Sequence, residues 1–444
     1  MSRGVAPVWA GFVWAALALA ITAGFGLGAA LFMAPALHRP LGAVWPAAAQ
    51  AHGHVQLFGW AGLTVLGVGL HFLPRLRGAP LVHLGSARAA LALLVSGLVL
   101  RVLTEPLLAA TDPTTWPVAP LRVGLACSGL LELAGASLAV DALARVAWQG
   151  PPLRSRASLW PLVPFFVTAF ASLWLALAVN AVGLMALAWS AGSLVPDATD
   201  GLSIDLALYA FLIPIAVAMS ERTCPLFLRT ARPNLRLLRG GLALLLAGLV
   251  LRVGGEVAHV SAAAGLGRLG LAGALGLFVL ALGIFAPRRP LPRQPVRPLA
   301  DPIQWHVLSA YAWLLLAALL LVASGLTTLG VGDITLTTDA PDAEHHLLGA
   351  GFVTLLILGM GAQLLPGFAN RRLRSPALVW ATLVLGNAAA LLRLGPLVVP
   401  AYLSPTLENG LLAAAGVVGL ATLVAFGLNL GGAGPIQPRR SVPG

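Results

Sequence analysis

The chain has few charged residues, two cysteines and no lysine at all. Only 9% of its 444 residues are charged, whereas 59% are hydrophobic, and the mean hydropathy is +0.91. A soluble domain needs a much larger polar surface, so this composition excludes one. Cys127 and Cys224 fall in different apolar runs, and we predict that no disulfide joins them.

All 27 basic residues are arginine, and the formal net charge is +12. Such a charge could indicate a nucleic-acid partner, but most of the arginines occur at the ends of the chain or in alternate connections between apolar runs. The intervening connections instead carry aspartates, among them Asp112, Asp197, Asp200 and Asp342. The positive-inside rule then predicts that both termini and the arginine-rich connections are cytoplasmic. Charge here reports topology in a lipid bilayer, and we expect no nucleic-acid partner.

Long apolar runs predict an all-α polytopic membrane protein with about twelve transmembrane helices. Candidate spans begin near residues 8, 54, 87, 121, 160, 204, 238, 266, 305, 345, 376 and 407. We interpret residues 1–434 as a single integral membrane domain. The glycine- and proline-rich residues 435–444 are predicted to form a flexible C-terminal tail.

One spacing pattern of histidine, proline and arginine occurs twice, and a third time with aspartate in place of histidine. The intervals are 20 and 27 residues in every copy. The three copies are His54, Pro74 and Arg101; Asp205, Pro225 and Arg252; and His346, Pro366 and Arg393. This pattern predicts three pseudo-repeats of four helices each, with limits near 1–150, 151–297 and 298–434.

The spacing also predicts which side of the membrane these side chains occupy. Twenty helical residues cover about 30 Å, the thickness of the hydrocarbon, so each histidine and its proline lie on opposite faces. The following 27 residues return the arginine to the histidine's face. His54 and His346 are therefore predicted to hold a haem, of b type, between two imidazoles near the outer face. The arginines would bind its propionates, or else pair with Glu105 and Glu256 four residues further along.

Further histidines near the same face could form a copper site. His52 precedes His54 by two residues, His345 is adjacent to His346, and His38 lies in a predicted outer connection. Neighbouring helical residues point about 100° apart, so His345 and His346 are not expected to ligate the same iron from one side. His52, His345 and His38, with His259 as a further candidate, would supply the imidazoles that copper favours.

Three short motifs resemble the NnrS family, whose members are haem- and copper-containing membrane proteins of the bacterial nitric oxide response. The first is the run from His52 to Gly59, with Val55 where the family has glutamate. The second comprises Arg222, Pro225 and Phe227, and the third comprises His346, Leu348 and Gly351. The resemblance implies a multi-pass protein of the bacterial inner (cytoplasmic) membrane that responds to nitric oxide.

Twelve spans in units of four also resemble the catalytic subunit of haem-copper oxidases and nitric oxide reductases. In that superfamily, histidines of the second and tenth helices ligate a low-spin haem, and His54 and His346 occupy those two helices here. The sixth predicted span contains no histidine, so the conventional dinuclear centre is not expected.

Three functions remain open from the sequence. The leading one is a haem-binding protein of NnrS type in nitric oxide response or redox metabolism, acting through electron transfer. The second is a nitric oxide reductase-like or quinol-oxidising enzyme, which would take electrons from a quinol or a cytochrome. The third is a transporter that uses the arginines to bind an anionic solute.

Overall fold

A computed structural model describes residues 7–39, 41–112, 118–152, 159–289, 301–331, 340–398 and 403–432. Twelve helices in these ranges are long and apolar enough to cross a membrane. They are α1 (Val8–Ala36), α2 (Val44–Arg77), α3 (Leu84–Ala110), α4 (Ala119–Gln149), α5 (Trp160–Trp189), α6 (Asp197–Leu228), α7 (Leu235–Val257), α8 (Ser261–Leu282), α9 (Pro302–Thr328), α10 (Ala340–Phe368), α11 (Pro376–Pro396) and α12 (Pro405–Gly431). The protein is a helical multi-pass membrane protein, as predicted. The predicted tail at 435–444 lies outside the described residues.

The helices α2, α6 and α10 form the centre of the bundle. Between 61% and 78% of their apolar windows are buried, against 28–56% for the other nine described spans. The three central helices contact one another, and the other helices pack around them mostly against neighbours in the chain, with α12 also packed against α1. Being shielded by protein, the central helices can carry polar residues that would be costly next to lipid.

The central helices begin earlier than the apolar runs alone predicted. The helix α2 begins at Val44, α6 at Asp197 and α10 at Ala340, so each extends beyond the hydrophobic stretch. Packing against neighbouring helices supports these first turns. Each central helix then ends two or three residues after its repeated proline, at Arg77, Leu228 and Phe368. A proline removes one backbone donor and crowds the preceding turn, which favours an end nearby.

Each central helix contains a π-helical segment. In such a segment each backbone hydrogen bond joins residues five apart, whereas in an α-helix it joins residues four apart. The segments are Val55–Gly62 in α2, Leu206–Leu212 in α6 and Leu347–Thr354 in α10. They begin one residue after His54, Asp205 and His346, respectively. The contacts among the three central helices are made through these segments. The wide turns therefore lie directly beside the candidate site residues.

Candidate functional site

Three clusters of charged side chains lie at the end of the bundle where α2, α6 and α10 begin; the pair of Arg101 and Glu105 is fully buried, whereas Asp342 is 43% exposed. Each cluster contains one of the arginines singled out by the spacing, and each lies between two of the central helices. We name them the first, second and third arginine clusters after Arg101 on α3, Arg252 on α7 and Arg393 on α11. Charges at this depth are stable only when paired, and all three arginines have carboxylate partners.

The first arginine cluster joins five helices around a fully buried guanidinium. Arg101 donates through Nε to Glu105 (2.8 Å) and through Nη1 to the side-chain oxygen of Asn180 (2.5 Å). Its Nη2 lies 3.7 Å from a carboxylate oxygen of Asp200 at the start of α6. Glu132 of α4, also fully buried, accepts a hydrogen bond from Nε2 of His54 at 2.6 Å.

Four polar atoms of this cluster have no hydrogen-bond partner within the described part of the chain. They are Nη2 of Arg101, Oε1 of Glu105, Oε1 of Glu132 and Nδ2 of Asn180. Two are donors and two are acceptors, a mixture that bound water satisfies because water both donates and accepts. The cluster also sets one arginine against three carboxyl groups.

The second arginine cluster lies between α6 and α10. Arg252 donates through Nη1 to Glu344 at 2.5 Å, and its Nη2 is 3.4 Å from Asp205. The hydroxyl of Tyr209 donates to the same oxygen of Glu344 at 2.5 Å. Glu256, an exposed residue at the edge of the cluster, lies 3.6 Å from Nε of Arg252 and accepts a hydrogen bond from Arg268 of α8 at 2.6 Å. The network therefore connects α6, α7, α8 and α10.

The third arginine cluster lies between α10 and α2 and contains two histidines. Arg393 pairs with Asp342, and its guanidinium carbon lies 4.7 Å from the ring centre of Phe32 on α1. His346 donates through Nδ1 to the backbone oxygen of Asp342 at 2.8 Å. His52 of α2 is close enough to interact electrostatically with His346, Arg393 and Asp342.

His52 and His54 lie on the same helix but belong to different clusters. The ring of His54 contacts Glu132 of α4 in the first cluster. His52 instead donates through Nδ1 to the backbone oxygen of Gly24 on α1, at 2.9 Å, on the side of the third cluster. In both His52 and His346 a backbone carbonyl holds Nδ1, and these bonds leave Nε2 for another partner. Such bonds to Nδ1 are typical of histidines that ligate metals through Nε2.

Two glycines of α1 shape the pocket for the His52 ring. Gly24 ends the π-helical segment Ala20–Gly24 with a ψ of −104°, outside the helical range, and its carbonyl is the one that His52 uses. Gly28 lies one turn further on. A Cβ atom added at Gly28 would lie 2.7 Å from Cε1 of His52, which is too close for the present ring position. Glycine at residue 28 therefore permits the orientation of His52.

Replacing Gly28 with alanine should push the His52 ring out of position. If His52 ligates a haem, we expect about tenfold weaker haem retention, the scale seen when a residue that orients a metal ligand is changed. The measurement is the haem absorbance of purified protein after competition with apomyoglobin. Gly53→Ala is the matched control, because a Cβ atom at Gly53 would have no neighbour within 4 Å. Equal retention in both variants would show that His52 does not hold the haem.

The histidines predicted for copper are not grouped into one site. Across the described ranges, no three histidine, cysteine, aspartate or glutamate side chains are arranged as metal ligands. His345 lies near Glu344 and Arg252, on the side of the second cluster. His38 and His259 lie in the connections after α1 and α7, each with a positive φ. Copper binding by His52, His345 and His38 thus remains a prediction from the sequence.

Several residues of the clusters were missed by the sequence analysis. Glu132 and Asn180 belong to no repeated spacing, although each is a polar residue within a long apolar run. Asp200 and Asp342 were interpreted only as markers of the outer connections, yet they pair with Arg101 and Arg393. The predicted i+4 pairs, Arg101 with Glu105 and Arg252 with Glu256, are both present.

Comparisons with known proteins leave the family open. A scan against protein-family models gave no match. A search of characterised proteins likewise gave no match. The functional argument therefore depends on the side chains themselves.

Proposed function

We propose that this chain is a haem-binding membrane protein that acts in electron transfer, with the haem iron held by His346 and a histidine of α2. The observation that carries the proposal is the pair of imidazoles in the third arginine cluster. His52 and His346 come from two central helices, and in each a backbone carbonyl holds Nδ1. The sequence pattern favours His54 as the α2 ligand. The orientation of the rings favours His52, because His54 is engaged by Glu132.

The residues of the third cluster suit the chemistry of a haem. Two neutral imidazoles are the ligand set of a low-spin iron. Arg393 lies on the same side and is half of an ion pair at the edge of the cluster, where a propionate could take a cationic partner. Phe32 of α1 adds an aromatic ring on the same side, against the guanidinium of Arg393. When bound, a haem with two histidine ligands supplies one-electron transfer.

The remaining parts of the proposal come from the sequence patterns. We propose three units of four helices in an arrangement like that of haem-copper oxidases, a bacterial inner membrane location, and cytoplasmic termini. The π-helical segments after His54, Asp205 and His346 support the units, because they begin at equivalent residues of the repeated spacing. The proposed role is NnrS-like, in nitric oxide response or redox metabolism, with nitric oxide as a small ligand and b-type haem as the cofactor.

Spectra of single-histidine variants test the proposal. His52→Ala and His346→Ala should each abolish the low-spin haem bands of the purified protein, because one axial ligand is lost. His54→Ala should retain them, since that ring pairs with Glu132. The measurement is a reduced-minus-oxidised absorbance spectrum together with electron paramagnetic resonance of the oxidised protein.

The control for these spectra is His83→Ala, because His83 is exposed in the connection between α2 and α3. Loss of the bands in His54→Ala and His346→Ala, but not in His52→Ala, would restore His54 as the ligand. Wild-type protein that contains no haem after expression in a haem-sufficient host would reject the proposal altogether.

A transporter for an anionic solute has less support. The first cluster contains three carboxylates and one arginine, and the second contains three carboxylates with two arginines. An anion entering either cluster would meet more carboxyl groups than arginines. The arginines are also held in short bonds to their partners, and a solute would have to displace those partners.

A further inference from the structure

A large apolar cavity lies away from the three arginine clusters, beside the later halves of α2, α6 and α10. Its volume is about 520 Å³, which is in the range of small-molecule sites. It is lined by α2, α4, α5, α6 and α10, and nearly all of the lining is aliphatic or aromatic. Aromatic side chains from three helices face it, including Phe72, Phe166 and Trp148.

The cavity opens on the outer surface of the helix bundle. Trp148 and Val167 line it, and both are largely exposed on the outer surface of the bundle, at 83% and 62%. They belong to α4 and α5, so the opening lies between these two helices. A ligand that enters there must be soluble in the bilayer.

One hydroxyl beside the cavity has no partner; among the buried threonines of the described residues, only Thr230, which does not line the cavity, shares this property. Thr64 lines the cavity and is only 6% exposed, and its hydroxyl has no hydrogen-bond partner in the described part of the chain. The buried threonines that do bond to a backbone carbonyl are Thr104, Thr223, Thr354, Thr382 and Thr422. Thr64 is the second residue after the π-helical segment of α2. Rotation about its Cα–Cβ bond would exchange methyl and hydroxyl and present a donor to the cavity.

The depth of Thr64 limits which lipid-soluble molecule could use that donor. Thr64 follows His54 by ten residues, or about 15 Å of helix, which is near the middle of the hydrocarbon. The ester oxygens of a phospholipid remain at the interface and would not reach it. An uncharged ring with carbonyl groups and a long apolar chain can occupy this depth, stack on the aromatic side chains and accept a hydrogen bond from Thr64.

We infer that this cavity binds an isoprenoid quinone, with the ring near Thr64 and the chain leaving between α4 and α5. The inference goes beyond the proposed haem site and does not depend on it, since the cavity shares no residue with the arginine clusters. If both proposals are correct, the quinone site and the haem site lie in one helix bundle, on either side of the central π-helical segments.

Binding measurements in lipid nanodiscs test this inference with two probes that have the same decyl chain: decylubiquinone, whose ring carries carbonyl and methoxy oxygens, and decylbenzene, whose ring carries no hydrogen-bond acceptor. Thr64→Val removes only the hydroxyl. It should weaken decylubiquinone binding about fivefold, the effect of one hydrogen bond, and leave decylbenzene binding unchanged. Ala216→Phe fills the cavity from α6 and should weaken binding of both probes by at least about tenfold.

The matched control is Thr104→Val, because Thr104 is a buried threonine outside the cavity whose hydroxyl bonds to Leu100. Decylubiquinone affinity that is unchanged in both Thr64→Val and Ala216→Phe would overturn the inference. If Ala216→Phe alone weakens both probes, the cavity takes apolar chains and its assignment to a quinone is wrong. The haem spectrum of Thr64→Val should match that of wild type, so failure at this site is distinguishable from failure at the haem site.

Discussion

Replacing Arg101 with methionine is expected to lower the free energy of unfolding by about 3–5 kcal/mol. Arg101 is fully buried and bonds to Glu105 and Asn180. Without the guanidinium, the carboxylates of Glu105 and Asp200 would remain at depth with no cation to offset them. Desolvated charge of one sign is among the most costly features that a substitution can leave in a core.

Denaturation in detergent micelles, followed by the reaction of Cys224 with a thiol dye, measures this effect. Cys224 is buried, and a Cys127→Ala background removes the second, exposed thiol. Arg145→Met is the matched control. Arg145 also pairs with an acid four residues away, Asp141, but the two side chains are about half exposed. The control should leave the unfolding midpoint unchanged, whereas an equally small effect in Arg101→Met would contradict the importance of the first cluster.

A second variant identifies the cause of the destabilisation. Adding Glu105→Met to Arg101→Met removes the carboxylate that bonded to Nε, and it should recover part of the lost stability. Recovery is expected because buried ion pairs can often be exchanged for apolar groups at little cost, whereas half of a pair cannot remain alone. If the double variant is less stable than Arg101→Met, lost packing explains the effect rather than charge.

Gly255→Ala is expected to destabilise the protein by about 3 kcal/mol, the upper part of the range for overpacking. A Cβ atom at Gly255 would lie 2.3 Å from the backbone nitrogen of Ala264 and 2.9 Å from its Cα. These are backbone atoms of α8, so only a movement of one helix away from the other can relieve the clash. Close approach through glycine is a common way in which membrane helices pack.

The adjacent glycine supplies the matched control for this variant. A Cβ atom at Gly254 would have no neighbour within 4 Å, so Gly254→Ala should leave the unfolding midpoint unchanged. Thermal unfolding of the two purified variants, compared by circular dichroism, measures the difference. Equal midpoints would show that α7 and α8 are not tightly packed where Gly255 meets Ala264. Separation of the helices would also shift Arg252, three residues earlier, relative to Glu344.

The sequence was sufficient to predict the number and the approximate positions of the spans. Hydropathy identifies them because each must cross about 30 Å of hydrocarbon, and the twelve helices are confirmed. The starts of α2, α6 and α10 were predicted too late. The first turns of α6 and α10 carry aspartates. All three starts pack against the surrounding helices, which no local property of the sequence reveals.

The partners of the arginines could be predicted only where they lie on the same helix. Glu105 follows Arg101 by four residues, a spacing that any helix brings together. Glu132 and Asn180 come from α4 and α5, and only tertiary packing puts them in the first cluster. The orientations of His52 and His54 also escaped prediction. A regular helix was assumed, whereas a π-helical segment begins immediately after His54.

The π-helical segments also limit how α2, α6 and α10 can be redesigned. A helical wheel assumes a constant angle of about 100° per residue, and that assumption fails across Val55–Gly62, Leu206–Leu212 and Leu347–Thr354. A face assigned by counting from Thr64 back to His52 would be displaced around the axis. In a redesign of α2, α6 or α10, the residues before and after the widened turn must therefore be assigned to two separate helical wheels.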